Sequence, residues 1–172
     1  MATRQVGRRV RLRGEVLLIL TNERTGEKRR IRSHNIVTDA GDVFVAQKHA
    51  GETPTNAFGI MELGTAGDAP SKGSNRSNMT TKVANSQKAF DSGYPKTNDD
   101  DPDNTGAGVD VTTRRVSYTT AEANAAAIDR LILTNVTPGA SEPVLDYATM
   151  TAVTKTSSDT LKVIVNITQN GV

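Results

Sequence analysis

Two stretches near opposite ends of the chain repeat with a period of two. Val10, Leu12, Val16, Leu18 and Leu20 share one parity, and Leu161, Val163, Val165 and Ile167 share another. A period of two sends alternate side chains to opposite faces, so both stretches read as β-strands. Over the first half of the earlier stretch the other parity holds Arg9, Arg11, Arg13 and Glu15. From Val16 to Leu20 every residue is apolar. This is a half-buried strand that becomes fully buried towards Leu20.

The segments between these strands carry punctuation of the kind strands need. Asn22-Glu23-Arg24-Thr25-Gly26 has turn chemistry, and Lys28 to Val37 reads as a return strand, which makes an N-terminal hairpin. Thr38 or Asp39 is placed to cap a short helix through Val43, Phe44 and Ala46 to Ala50, with Gly51 as its stop and Pro54 beyond. Ala57 to Leu63 is strand-like, and Gly64 to Pro70 reads as a loop. Residues 68–108 are mostly polar and read as two long loops around a weak element at Met79 to Phe90. Strands follow at Val109 to Thr119, Ile128 to Leu133, Val144 to Val153 and Leu161 to Ile167.

The expectation is a mainly β protein, an antiparallel sandwich or barrel of about seven or eight strands with one short helix. Residues 1–9 form a basic arm and 10–172 a single β domain with long loops at 68–108.

Such a domain has limited means of holding itself together. Its 172 residues are only 3% aromatic with no Trp, so large core side chains are scarce. With no Cys there is no disulfide, thiolate metal site or Cys nucleophile. The basic start and the short apolar run Val16–Leu20 do not make a signal peptide, and no stretch reaches membrane-spanning length. The expectation is a soluble protein made in a cytoplasm.

Charge is unevenly placed. Residues 1–32 hold ten Lys/Arg against three Glu, and the rest holds eleven against sixteen acids, a split of +7 and −5. That asymmetry points to an electrostatic contact made by the N-terminal part, with Arg4, Arg8, Arg9, Arg11 and Arg13 as candidate partner-binding residues. Nucleic acid is the distant reading. Residues 1–32 hold neither stacking aromatics nor a recognition helix, and the alternation makes these arginines one face of a strand.

No catalytic constellation can be assembled. His34 and His49 lack metal-ligand spacing, LGTAGDAPSKGS does not match a phosphate-binding loop, and no GxSxG occurs. The one ligand-like segment is Asn98 to Asn104, where Asp99, Asp101 and Asp103 have the alternate spacing of a calcium loop. Asn104 and Asp110 stand where such a loop wants Gly and Glu, so the segment reads as a solvated acidic loop or one that meets the basic arm of a neighbouring copy. No cofactor is expected.

Three segments in order resemble those of tailed-bacteriophage virion structural proteins. Asn35-Ile36-Val37-Thr38-Asp39-Ala40-Gly41 is similar to an N-x-V-T-x-x-G segment that follows an N-terminal hairpin and opens a short helix. IMELGTAGDAP, from Ile60 to Pro70, resembles the strand and loop that come next. TKTSSDTLKVIVNIT, from Thr154 to Thr168, resembles the C-terminal strand pair. Between them Glu122-Ala123-Asn124 and Ile128 to Leu133 sit where that family has a further strand. The chain departs from the pattern in the final strand, where Ile164 or Val165 replaces an aromatic, and at Asp129, after which Gly-Leu-Phe is absent. The resemblance implies a virion component. The first expectation is a capsid cement (decoration) protein on the capsid exterior, bound to the major capsid protein and to its own copies as a homotrimer. The alternative is a tail, baseplate or fibre subunit.

Overall fold

The computed structural model describes residues 10–137 and 139–171. The hairpin forms as the alternation requires, with β1 (Val10–Asn22) antiparallel to β2 (Lys28–Val37). Gly26 takes φ 71° in the turn, the left-handed region that glycine enters without strain. Thr38 is the helix cap. Its hydroxyl accepts from the Gly41 amide at 3.1 Å and donates to the Val144 carbonyl, which starts α1 (Asp39–His49). Gly51, at φ 73°, follows the helix end.

The remaining strands are β3 (Phe58–Ala66), the two-residue β4 (Thr81–Lys82) and β5 (Lys88–Ala89), β6 (Val111–Tyr118), β7 (Ala125–Asn135), β8 (Val144–Lys155) and β9 (Asp159–Gly171). β3 runs past Leu63 into residues that read as loop in the sequence. Gly64 lets the chain pass beneath Met79, whose Sδ lies 2.6 Å from where a Cβ would sit. All pairs are antiparallel, in the order β4-β3-β7-β8-β2-β1-β9-β6, with β5 also on β3.

This is one curled sheet, a half-barrel, rather than two packed sheets. Val16, Leu18, Val163, Val165, Val116, Leu131 and Leu133 point inward and form its core. Phe44 of α1 meets Phe58 edge-on, with ring centroids 5.3 Å apart, and seats the helix against that core.

Residues 88–96 link the two ends of the sheet. β5 pairs with β3, the Asp91 amide donates to the Arg115 carbonyl at 2.8 Å, and Lys96 and Thr113 exchange two backbone bonds at 3.0 and 2.8 Å. The weak element expected at Met79 to Phe90 is therefore a tie between edges. The long loops are ordered by their own sheet.

Candidate functional site

The outer face of β2, β1, β9 and β6 is striped by the register. One cross-strand row reads Arg32, Leu17, Ile164, Arg115, and the next reads Arg30, Ile19, Lys162, Ser117. Leu17 and Ile164 in the first row and Ile19 in the second are thus flanked by cations. Leu17, Ile19 and Ile164 form their own buried cluster, separate from the main core. Burial on this side explains why Val16–Leu20 is apolar on both parities.

The cover is the acidic segment. Asp101 receives Lys162 Nζ at 3.0 Å and Arg115 Nη1 at 2.8 Å. Asp103 receives Lys162 at 2.9 Å and Arg30 Nη2 at 2.6 Å, with Lys28 at 3.8 Å. Arg32 donates to Thr105 and lies 3.8 Å from Glu15. Deeper in, Asn104 and Asn166 bond one another side chain to side chain, and the Thr113 hydroxyl donates to Asn166 at 2.8 Å. The Asp101 and Asp103 side chains are only 2% and 11% exposed, so the solvated loop of the sequence reading is corrected. A run of three aspartates stays unpaired only where no cation is near. Here the curl of the sheet brings four cations under it.

Asp99 is held separately. Tyr94 Oη donates to it at 2.6 Å, Asn104 Nδ2 at 2.8 Å, and Lys96 Nζ lies at 3.1 Å. Burial opposes its ionisation, but these bonds outweigh burial and bring its carboxyl down to about 2. Burial pushes the Tyr94 hydroxyl up to about 12, and the bond to Asp99 adds to the effect. Asp99, Asp101 and Asp103 do not converge. Lys162 Nζ sits between the last two, where a cation bridging Asp101 and Asp103 would have to go.

The candidate arginines divide. Arg4, Arg8 and Arg9 lie outside the described residues, and for Arg11 only the backbone is described. Arg13 is exposed at the start of β1, where it and Leu12 border a groove whose other wall is α1 (Asp42, Val45, Ala46, His49). His49 Nε2 meets Gln169 Oε1 of β9 at 2.8 Å, and His34 is exposed on the outer face of β2. Among the described residues, Arg13, His34 and His49 make no hydrogen bond or ion pair to Asp99, Asp101 or Asp103.

Sequence reasoning missed the inside of the half-barrel. Arg114 of β6 and Asp146 of β8 both point inward and are 5% and 0% exposed. Asn35 donates to Asp146, yet Asp146 Oδ1 and Arg114 Nε and Nη1 have no partner. Burial holds the Arg114 guanidinium down at about 10 and pushes the Asp146 carboxyl up to about 8, against the pull of the opposite charge. Charged residues inside otherwise alternating strands were the available signal. Comparison with protein-family models, curated proteins and solved structures gives no match for this chain.

Proposed function

We propose that this chain is a non-enzymatic structural component of a tailed-phage particle, a cement protein of the capsid exterior that contacts the major capsid protein and neighbouring copies. The observation that carries the reading is the ordered set of three motifs in the sequence. Their positions have coherent work in one β body. Asn35 bonds Asp146, Val37 lies in the core, Thr38 caps α1, and Gly41 passes so close to the Leu145 carbonyl that a Cβ would overlap it. In the last motif Lys155 is buried and donates to the Thr119 carbonyl and Asn124, and Asp159 closes the β8–β9 turn through Thr156. The motifs are thus a signature of this fold, and a partner surface lies elsewhere.

Charge supports where that surface is. Lys28, Arg30 and Arg32 meet carboxylates of their own chain, whereas Arg13 is exposed at the end of the basic run that begins at Arg4. The gripping surface is accordingly the first thirteen residues, directed at an acidic face of the capsid subunit or of an adjacent copy.

Cryo-electron microscopy of the purified particle tests the location. Density on the outer lattice, in hundreds of copies, is expected. Density confined to the tail makes the chain a tail, baseplate or fibre subunit instead. For the grip, replacing Arg4, Arg8, Arg9, Arg11 and Arg13 together by Gln is expected to release the protein from empty capsids at moderate salt with its circular dichroism unchanged. Attachment that persists through high salt removes the electrostatic role.

A further inference from the structure

The sheet is split between β2 and β8. Their backbone pairing covers only Asn35–Val37 against Asp146–Ala148. Below that, Ser33 Oγ donates to the Thr149 carbonyl and the strands part. β2 continues from Arg32 back to Lys28 on β1 alone, and β8 continues from Met150 to Lys155 on β7 alone. Among the described residues, neither strand has a backbone partner on the side that faces the split.

The two open edges differ in chemistry. On β8, Met150-Thr151-Ala152-Val153-Thr154 carries no charge and no Pro, and Thr151, Ala152 and Thr154 are exposed. Charges, Pro or a covering element are the devices that keep an open edge from pairing. This edge has none of them. On β2 the edge is Lys28-Arg29-Arg30-Ile31-Arg32, whose four cations have two carboxylates within 4 Å, Asp103 and Glu15. Even when paired, the Arg30 and Arg32 side chains stay 51% and 56% exposed. Ile31 and Met150 sit at the inner floor of the split and are nearly buried.

We infer that the split is a docking slot for an extended acidic segment of a partner protein, which adds as a strand to the open edge of β2. An added strand places its residues directly opposite those of β2 on the same face. It needs carboxylates opposite Arg30 and Arg32 on the outer face and an apolar residue opposite Ile31 on the inner face. The recognised sequence therefore alternates acidic and apolar residues. The two-positive excess on this edge disfavours a second β2 edge as occupant, because like charges would stand opposite one another. The inference is independent of the particle reading, since it concerns the chemistry of the segment and not its source.

The experiment is amide hydrogen exchange by NMR on the full chain, with a short Pro-flanked alternating Val-Glu peptide as probe and its Val-Lys counterpart as control. Val-Glu is expected to slow exchange of the β2 amides in 29–32 that point away from β1, roughly ten-fold at a concentration about ten times its dissociation constant. The effect is expected to weaken with salt and in the double variant Arg30→Gln, Arg32→Gln, whose unliganded exchange elsewhere checks that it is folded. Unchanged exchange, or equal protection by Val-Lys, overturns the inference. Protection that rises with protein concentration and no peptide also overturns it, by making a second copy the occupant.

Discussion

Gly14 faces Asn35 across the β1–β2 pair, and a Cβ there would overlap the Asn35 amide that bonds Asp146. Gly41 likewise admits the Leu145 carbonyl beside α1. Backbone cannot yield as a side-chain tip can, so Gly41→Ala is expected to cost about 2 kcal/mol, read as a lower urea midpoint at unchanged slope. Asp146 gives a second test. Its folded pKa is raised to about 8, so its neutral form stabilises the fold fully below the unfolded value near 4. That contribution is lost as pH rises towards and through 8. Thermal melts are expected to fall over this window in the natural chain and to stay level in Asp146→Asn. Parallel curves for the two proteins would show that Asp146 ionises freely.

At the scale of elements, the 91–110 segment behaves as part of the sheet. Ion pairs of Asp101 and Asp103, both almost fully covered, tie it to β2, β9 and β6. Asp101→Asn leaves Lys162 and Arg115 facing a weaker acceptor over an apolar floor. The expected cost is roughly 2 kcal/mol, with faster amide exchange confined to 98–106 and to the Leu17–Ile19 part of β1. Proteolysis is expected to cut the variant first within this segment. A uniform loss across all strands would mean that the segment and the sheet unfold as one unit.

For the whole molecule, the carboxylates set an acid limit. Asp99 and Glu122 are held at about 2, Glu122 chiefly by Lys88, and Asp100, Asp101, Asp103 and Asp159 are also lowered. A lowered carboxylate stabilises above its unfolded pKa, and that stability is lost as pH falls through the folded value. Asp99 alone, with a side chain that has no exposure, accounts for roughly 2 kcal/mol between pH 4 and 2. Together with the opposite slope from Asp146, this places maximal stability on the acidic side, near pH 4 to 5. A melting series from pH 2 to 9 with its maximum above 7 would contradict the assignment of Asp146, and one with no fall below pH 4 would contradict that of Asp99.

The sequence by itself determined the strands, the hairpin and the helix cap, because alternation, turn residues and a capping Thr act over a few neighbours. Val10–Asn22, Lys28–Val37 and Asp39–His49 fall where those local rules put them. It did not determine what the polar stretch at 68–108 does. Asp101 meets Lys162 across 61 positions and Asp103 meets Arg30 across 73, and no local pattern links residues so far apart. The same holds for Arg114 and Asp146, which face one interior only because the sheet curls. Register and curvature are properties of the assembled sheet. They decided that an acidic loop became a cover, that part of a basic strand was neutralised, and that the β2–β8 edge stayed open.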